Sequence, residues 1–319
     1  MNCFVTGGAG CVGSHMIDRL MKDGHRVVAF DNLSLGREAF LSHHFSRPRF
    51  RFVRGDLLDL ARLQKSMKGS DVVFHFAANS DIVKSAQHTK IDLEQGTIAT
   101  YNVLAAMRAS RVPKIVFTSS SVIYGEVRKL PIAEDHGPLF PISMYGASKL
   151  ACEALISAFC HNFGFRSWIF RFANVIGARA THGVVVDFYR KLQRNRAALE
   201  VLGDGRQAKP YIEVGDVIDG MLFGLKHGKA PVNYFNLGTR GSTSVTAIAH
   251  AVIKAMGLRN VRLRFTGGAR GWPGDVPRVA LDVRKLRKLG WKAEYPSSDQ
   301  ACRIGVRALV EDLQVRGAA

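Results

Sequence analysis

Short apolar runs of strand length alternate with helical patterns through the first half of the chain, and this rhythm constrains the fold most. The predicted strands cover residues 2–6, 26–30, 50–54, 72–76, 115–118 and 168–172. Strands separated by helices are joined by crossover connections, which make neighbouring strands parallel. The sequence therefore predicts an α/β fold built on a doubly wound parallel sheet.

The rhythm changes after about Gly177, where turn-rich segments separate the predicted elements. Helices and strands are expected near residues 185–193, 211–214, 216–226, 245–256 and 262–265. A glycine-rich loop at 267–274 breaks regular structure. We predict a first domain at 1–174 and a smaller mixed α/β C-terminal substrate lobe at 175–319, with an approximate boundary that the chain can cross. The last residues, 312–319, are expected to fray.

Composition excludes several classes of protein. The chain has 319 residues, of which 47% are hydrophobic, and no run of 18 apolar residues predicts a membrane span. The first strand begins near Met1, so we expect no signal peptide and a cytoplasmic location. Five cysteines without a CxxC pair argue against a disulfide framework or a metal site, and no metal is expected.

The net charge of +19, from 45 basic and 26 acidic residues, raises the question of a nucleic-acid partner. The basic residues are scattered, with no long Lys/Arg block and no RNA-binding signature. We therefore expect neither a nucleic acid nor a membrane as partner, and favour a small ligand that carries phosphate.

A glycine loop at the end of the first strand predicts a dinucleotide site. Gly7, Gly10 and Gly13 lie between a strand and a helix, where glycines let the backbone approach a pyrophosphate at the helix N-terminus. Asp31 ends the next strand, 18 residues beyond Gly13, where a carboxylate can accept both ribose hydroxyls. These features are typical of a Rossmann-type domain that binds NAD, and Arg37 is the one residue that favours NADP.

Further residues at strand ends are expected to line the same cofactor. His75, which directly precedes Phe76, Ala77 and Ala78, is expected to be a structural histidine with satisfied hydrogen bonds. The additional predicted cofactor contacts are Cys11, Val12, Asn32, Asp56, Leu57, Phe76, Ala77 and Ala78.

Tyr145 and Lys149 form a candidate proton-transfer pair. They are four residues apart at the start of an apolar helical segment, so they share one helix face. An ammonium beside a phenol favours the phenolate, and we expect it to lower a phenol pKa that is about 10 in a model peptide. Such a tyrosine can exchange a proton with a sugar hydroxyl near neutral pH.

Taken together, these motifs resemble the extended short-chain dehydrogenase/reductase family, and within it the nucleotide-sugar epimerases and dehydratases. The resemblance covers nearly the whole chain, in family order. It rests on TGGAGCVG at 6–13, DNL at 31–33, GDL at 55–57, HFAA at 75–78, TSSSVIYG at 118–125, YGASK at 145–149, RFANVIG at 171–177, KPYIEVGD at 209–216 and PGDVP at 273–277.

The resemblance implies roles for residues that the chain's own pattern leaves open. Ser120 would bind the substrate hydroxyl beside the catalytic Tyr145 and Lys149, with Ser121 as the alternative. Asn174 and Lys209 would contact the substrate's diphosphate or nucleotide. In epimerases an arginine often stands where this chain has Trp272. The remaining candidates are Arg270, which could reach the same phosphate, Trp272, which could stack on the substrate, and His182, which could face the nucleotide or solvent.

One departure from the family narrows the implied reaction. In 4,6-dehydratases an Asp-Glu pair follows this Ser/Thr, whereas the chain has Ser121 and Val122, which cannot supply that acid and base. The resemblance therefore implies an NAD-dependent 4-epimerase, with a UDP-hexose such as UDP-glucose, UDP-galactose or UDP-glucuronate as substrate. A homodimer formed through helices near 96–109 and 146–162 is also implied.

The alternatives are a reductase, decarboxylase or dehydratase of the same family, and a non-catalytic NAD-sensing or RNA-associated protein. Family members of the last kind usually lack the tyrosine or the lysine, so the complete set of Ser120, Tyr145 and Lys149 argues against it.

Overall fold

The chain folds into two units that interleave along the sequence, as described by a computed structural model for residues 1–80, 85, 87–268, 276 and 278–318. The first unit comprises Met1–Gly125, Pro138–Arg171 and Met221–Phe235, and the second comprises Glu126–Gly137, Phe172–Gly220 and Asn236–Ala319. The main change of unit, between Arg171 and Phe172, lies three residues before the predicted boundary at 174/175. Two shorter segments depart from this division: residues 126–137 belong to the second unit, and residues 221–235 belong to the first.

Two strands, at residues 2–6 and 50–54, have the predicted bounds. In chain order the strands are β1 (Asn2–Thr6), β2 (Arg26–Asp31), β3 (Phe50–Arg54), β4 (Val72–His75), β5 (Lys114–Ser120), β6 (Arg166–Phe172), β7 (Asn174–Ile176), β8 (Ala198–Val201), β9 (Ala208–Lys209), β10 (Tyr211–Glu213), β11 (Val232–Leu237), β12 (Thr243–Ser244) and β13 (Arg262–Phe265).

The helices of the second half begin and end near the predicted positions, as at 185–193 and 216–226. In chain order the helices are α1 (Cys11–Lys22), α2 (Leu60–Met67), α3 (Ala99–Ser110), α4 (Met144–Phe163), α5 (Val184–Arg194), α6 (Val214–His227), α7 (Val245–Ala255), α8 (Arg284–Lys288) and α9 (Ser298–Ala318). A helical turn at Lys90–Asp92 and a π-helical turn at Leu93–Ile98 lead into α3. Within the described residues no helix combines the length and the apolar character needed to cross a membrane.

The first unit is built around a seven-stranded parallel sheet with the order β11-β6-β5-β4-β1-β2-β3. Its core consists of fully buried aromatic side chains such as Phe4, Phe30, Phe74 and Phe117. Such continuous apolar strands are typical of a sheet covered by helices on both faces. The predicted Rossmann-type fold is confirmed, and β1 and β4 meet where the strand order reverses, which is where such sheets bind ligands.

Strand β11 was not predicted. Its sequence, VNYFNL, lies far along the chain from β6, beside which it completes the sheet. The apolar run is visible in the sequence but its partner is not, because strand pairing is decided by packing across the fold rather than by local preference.

The second unit is mixed α/β, as predicted. Strands β7 and β10 pair in parallel, as do β8 and β13, while β9 and β12 pair antiparallel. Its core includes buried side chains of α5, α7 and α9, among them Phe188, Leu192, Val252 and Val306. The mixed strand directions explain why no strand–helix rhythm was visible in this half of the sequence.

The prediction that residues 312–319 fray was wrong for the described part of this segment, because α9 continues to Ala318. Asp312 accepts hydrogen bonds from the Arg179 N–H at 2.8 Å and from the Arg316 guanidinium at 2.5 Å. Arg316 also donates to the carbonyl of Ala180 at 3.0 Å. The two contacts with residues 179 and 180 hold the last turns of α9, and they were invisible in the sequence because they are long-range.

We expect Asp312→Ala to lower the free energy of unfolding by about 1–3 kcal/mol, because the Arg179 N–H and the Arg316 guanidinium both lose their acceptor. Glu311→Ala is the matched control: Glu311 is exposed on the same helix and pairs only with exposed Arg307 in the described residues, so its loss should cost about 0–1 kcal/mol. Urea unfolding of both variants measures the difference. Equal losses would contradict this reading of α9.

Candidate active site

The glycine loop after β1 is closed by direct backbone contacts. A Cβ atom on Gly13 would lie 2.1 Å from the carbonyl oxygen of Gly7, and one on Gly7 would lie 2.6 Å from the amide nitrogen of Ala77. Gly7 also has a φ of +64°, which side chains rarely tolerate. Only glycine fits at these two positions, and this brings the ends of β1 and β4 together.

Helix α1 begins directly after this loop, and its first turn suits an anion. Gly10 is its N-cap residue, no side chain of the described residues caps it, and its first turn holds no acidic residue. The amide groups of residues 11–13, which include Cys11 and Val12, therefore lie at the positive end of the helix dipole. A helix N-terminus of this kind is a type of site at which phosphate groups bind in proteins.

Asp31 lies at the end of β2 beside the loop. Its carboxylate accepts hydrogen bonds from the Ala9 N–H at 2.9 Å and the Leu33 N–H at 2.8 Å. Burial raises the pKa of Asp31, and these two N–H groups oppose that effect. The carboxylate is thus fixed by backbone groups at the position where a ribose diol would be accepted, while Arg37 is exposed and contributes its own N–H to the Ala9 carbonyl.

Three of the predicted cofactor contacts, Asn32, Asp56 and Leu57, lie in a second hydrogen-bonded cluster. The Asn32 amide donates to the Asp56 carboxylate at 3.0 Å, and Asp56 also accepts from the Leu58 N–H at 2.9 Å. Leu57 is buried, and its carbonyl accepts from the Asn102 amide. The structure thus joins Asn32 to Asp56 and fixes the neighbouring Leu57.

The segment after β4 is held by Thr6, which the sequence analysis missed. The Thr6 hydroxyl accepts hydrogen bonds from the N–H groups of Phe76 and Ala77 and lies 2.7 Å from Nδ1 of His75. His75 is completely buried, its Nε2 contacts Thr100 at 2.9 Å, and burial lowers its pKa to about 3. His75 is therefore a neutral structural histidine, as expected, and the half-buried Phe76, Ala77 and Ala78 follow it.

Helix α4 places Tyr145 and Lys149 against the end of β5. Ser143 caps the helix by accepting from the Gly146 N–H at 3.1 Å, so Tyr145 lies in the first turn. The buried Lys149 ammonium donates to the carbonyl of Thr118 at 2.7 Å and lies 5.7 Å from the centre of the Tyr145 ring. The predicted pair is therefore on one helix face, next to β5.

The expectation that Lys149 lowers the pKa of Tyr145 was wrong for the protein chain considered without cofactor or substrate. Burial, followed by the charges of Asp92 and Cys152, raises the pKa of Tyr145. Burial also lowers the pKa of Lys149 to about 8, although Cys152 and Asp92 oppose that shift. The physical reason is that burial destabilises the phenolate more than the neighbouring ammonium stabilises it.

Ser120 is the last residue of β5 and is half-buried. Its hydroxyl accepts weakly from the Val122 N–H at 3.4 Å, which begins a 3₁₀ turn at Ser121–Tyr124. A Cβ on Gly146 would lie 2.9 Å from the Val122 carbonyl, so the first turn of α4 touches this turn directly. Ser120 and Tyr145 are therefore brought to the same end of the sheet, while the alternative, Ser121, is buried.

A buried carboxylate that the sequence analysis missed lies beside the Tyr145–Lys149 pair. Asp92 is 2% exposed, and its carboxylate accepts a hydrogen bond from the Asn79 amide at 3.1 Å. The backbone carbonyl of Asp92 accepts a second hydrogen bond from the Ser148 hydroxyl at 2.8 Å. It precedes the π-helical turn, whose Gly96 approaches Ser148 so closely that a Cβ there would lie 2.2 Å from the hydroxyl. Only the tertiary packing places Asp92 here, since it lies outside every predicted motif.

A buried ion pair links the two segments that carry the candidate catalytic residues. The Arg171 guanidinium donates to Glu153 of α4 at 2.8 Å and to the Tyr124 hydroxyl, in the turn after Ser120, at 2.9 Å. Both charged side chains are less than 10% exposed. A sequence signal existed, because Arg171 and Glu153 are single charges inside otherwise apolar segments, and such charges require a partner when buried.

The predicted substrate residues of the second unit lie in two places. The Asn174 N–H donates to the carbonyl of Pro210 at 3.0 Å, so half-buried Asn174 is adjacent to the β9–β10 segment that begins at Ala208 and includes Lys209. His182 is exposed in the loop before α5, with its Nδ1 3.2 Å from the Thr181 hydroxyl. Arg270 and Trp272 lie outside the described residues.

We expect Gly13→Ala to weaken NAD binding by more than tenfold, since the added methyl group would overlap the Gly7 carbonyl and force the pyrophosphate loop apart. Gly137→Ala is the matched control, because a Cβ there meets nothing within 4 Å. Calorimetric titration with NAD, accompanied by circular dichroism of each variant, measures the effect. Unchanged NAD affinity in a folded Gly13→Ala protein would show that the loop does not hold the cofactor.

We expect Glu153→Gln to destabilise the protein by about 3–5 kcal/mol, because it leaves the Arg171 guanidinium buried without its counter-ion. Glu311→Gln breaks an exposed pair with Arg307 and should cost only about 0–1 kcal/mol. Denaturant unfolding of the two variants measures the ratio. A loss for Glu153→Gln as small as that of the control would contradict a structural role for the buried pair.

Comparison with known proteins identifies the family of the chain. The sequence profile of the NAD dependent epimerase/dehydratase family matches residues 3–238. The chain is 33% identical to the UDP-glucose 4-epimerase of Mycolicibacterium smegmatis over 305 residues, which cover 92% of this chain and 94% of that protein.

Solved structures show the same fold over the full length. A crystal structure of a UDP-galactose 4-epimerase superposes with a TM-score of 0.86 at 37% identity, covering 99% of both chains. The UDP-glucose 4-epimerase of Thermus thermophilus, solved in complex with NAD, gives a TM-score of 0.86 at 29% identity and covers 100% of both chains. The chain belongs to the NAD dependent epimerase/dehydratase family.

Proposed function

We propose that the protein is an NAD-dependent nucleotide-sugar 4-epimerase that acts on a UDP-hexose. The observation that carries this proposal is the arrangement at the end of β5, where Lys149 donates to Thr118 and the first turn of α4 contacts the turn that Ser120 begins. This arrangement presents Tyr145 and Ser120 at the same end of the sheet as the glycine loop, where a sugar hydroxyl could meet both a proton acceptor and NAD.

The residues that would hold NAD all lie in the first unit. The amides of residues 11–13 would bind the pyrophosphate, Asp31 the adenosine ribose, and the segments at 56–57 and 76–78 the adenine and the approach to the nicotinamide. When bound, NAD accepts a hydride from the sugar and returns it.

Tyr145 would act as the base that removes the proton from the C4 hydroxyl, and later returns it. Because burial raises its pKa even with Lys149 beside it, the phenolate needs further positive charge, which the nicotinamide of bound NAD+ would add to that of Lys149. Lys149 would also hold the nicotinamide ribose. Ser120 would orient the hydroxyl and relay the proton, since its only hydrogen bond in the described residues is the weak one from Val122.

Epimerisation is favoured over dehydration by the residues that follow Ser120. Removal of water from the sugar needs a further acid and base, whereas Ser121 is a buried hydroxyl and Val122 is apolar. Inversion at C4 needs only reversible oxidation followed by rotation of the keto sugar, so the observed side chains are sufficient for it. A reductase would use the same residues but would consume reduced cofactor, whereas an oxidative decarboxylase would release it.

Asn174, Lys209 and His182 of the second unit are the proposed contacts of the UDP moiety, together with Arg270. Asn174 and Lys209 offer an amide and an ammonium, which suits a diphosphate, and the Asn174 N–H donates to the carbonyl of Pro210, the residue after Lys209. Lys209 provides charge but not the bidentate fork of an arginine. Relatives named for UDP-glucose support UDP as the nucleotide.

A cytoplasmic homodimer without a nucleic-acid or membrane partner completes the proposal. The helical segment from residue 93 and helix α4 carry exposed apolar side chains, notably Leu93, Ile98, Tyr101 and Phe163, which are 42–50% exposed. A second copy of the chain could cover them. Light scattering coupled to size-exclusion chromatography tests the dimer, and retention on an RNA column at moderate salt, set against co-purifying NAD, tests the nucleic-acid alternative.

We expect that, when the protein is incubated with a panel of UDP-, dTDP-, GDP- and CDP-sugars, a UDP-sugar is inverted at C4 without net release of NADH. NMR of the sugar measures the inversion. Tyr145→Phe should reduce turnover by at least about 100-fold, because the phenyl ring cannot take the hydroxyl proton. Tyr101→Phe, at an exposed tyrosine of α3, is the matched control and should retain activity.

The outcome separates the possible reactions. Stoichiometric release of NADH with substrate would favour an oxidative decarboxylase, and stoichiometric consumption of NADH would favour a reductase. Loss of water from the sugar would show a dehydratase. If no sugar reacts and Tyr145→Phe behaves like the parent protein, the proposed function is wrong.

A further inference from the structure

Away from the glycine loop, three metal-ligating side chains converge on one point of the first unit. Nε2 of His43 and Nε2 of His44 each lie 2.7 Å from the same carboxylate oxygen of Asp18. All three ligand atoms are within 4.8 Å of one another. Asp18 is on α1, whereas the two histidines belong to a 3₁₀ turn at Ser42–His44, so the cluster joins two separate elements.

We propose that Asp18, His43 and His44 form a binding site for a divalent transition-metal ion such as Zn²⁺. Two imidazole nitrogens and one carboxylate oxygen are a common ligand set for zinc, with water completing the coordination. A tetrahedral ion with ligands at about 2.0–2.2 Å needs them about 3.4 Å apart. Each histidine nitrogen lies 2.7 Å from the Asp18 oxygen, somewhat closer than that spacing, so small side-chain rotations would admit the ion.

The cluster is held in place from one side and open on the other. The His44 ring lies 5.4 Å from the Phe50 ring and 4.0 Å from the His43 ring, between centres. The His44 side chain is 7% exposed, while His43 and Asp18 are 46% and 31% exposed. A fixed inner ligand with two accessible outer ligands provides both a preformed site and a path for the ion to enter.

Within the described residues, Asp18 is the only hydrogen-bond partner of the His44 ring, whose Nδ1 is buried without one. In the described residues, the contact with Asp18 is therefore the one hydrogen bond that positions the His44 ring. The site is separate from the proposed NAD contacts, and Mg²⁺, which prefers an all-oxygen shell, should bind poorly.

An ion here would connect α1 to the segment that follows Asp31. That segment already contacts the glycine loop, because the Arg37 N–H donates to the Ala9 carbonyl at 2.9 Å. The expected consequence is a structural one: bound metal should raise the thermal unfolding temperature without being needed for sugar inversion.

The test is calorimetric titration of the untagged, chelator-treated protein with Zn²⁺, with Mg²⁺ as the negative control. We expect one Zn²⁺ per chain and a rise in unfolding temperature. Asp18→Asn and His43→Gln should each weaken binding by at least about tenfold, the lower range for perturbing a metal shell. Co²⁺ should give visible absorption bands that report nitrogen and oxygen ligands and that disappear in both variants.

Two control variants exclude other zinc ligands. His161→Gln alters an exposed histidine outside the cluster, and Cys11→Ser alters the one cysteine that is not buried. Both should keep the cluster's Zn²⁺ affinity. Absence of saturable Zn²⁺ binding, or equal affinity in folded Asp18→Asn and His43→Gln proteins, would overturn the proposal, and neither result depends on which sugar the enzyme uses.

Discussion

The candidate active site depends on one buried hydrogen bond, from the Lys149 ammonium to the carbonyl of Thr118. An ammonium group is expensive to bury, and here desolvation lowers its pKa to about 8. The bond offsets part of that cost and fixes α4 against the end of β5. Without it, the helix that carries Tyr145 would lose the hydrogen bond that ties it directly to the end of β5, beside Ser120.

Two other contacts support the same junction from either side. The Arg171 guanidinium joins Glu153 of α4 to Tyr124 of the turn after Ser120, and Ser148 donates to the backbone of Asp92 in the preceding segment. The helix is thus tied to three different parts of the first unit. This explains why charged and polar groups lie inside an otherwise apolar core, where each must have a partner.

The electrostatics of the chain's own residues oppose the proposed chemistry. Burial and Asp92 raise the pKa of Tyr145, so the tyrosine keeps its proton and cannot act as the base before cofactor binds. The sequence led us to expect the reverse, because spacing alone identifies the lysine but not the depth of burial or the neighbouring carboxylate. A site of this kind couples base strength to the charges brought by its ligands, which is consistent with a reaction that needs bound NAD.

The sequence by itself determined the Rossmann-type fold, the glycine loop, Asp31 and the spacing of Tyr145 and Lys149, because these depend on local periodicity and on backbone space that only glycine allows. Tertiary structure alone decided the partner of β11, the anchoring of α9 by Asp312, the position of Asp92, and the meeting of Asp18 with His43 and His44. In each of these cases the contacting residues are far apart in the chain. Their proximity follows from packing of the core, which no local pattern encodes.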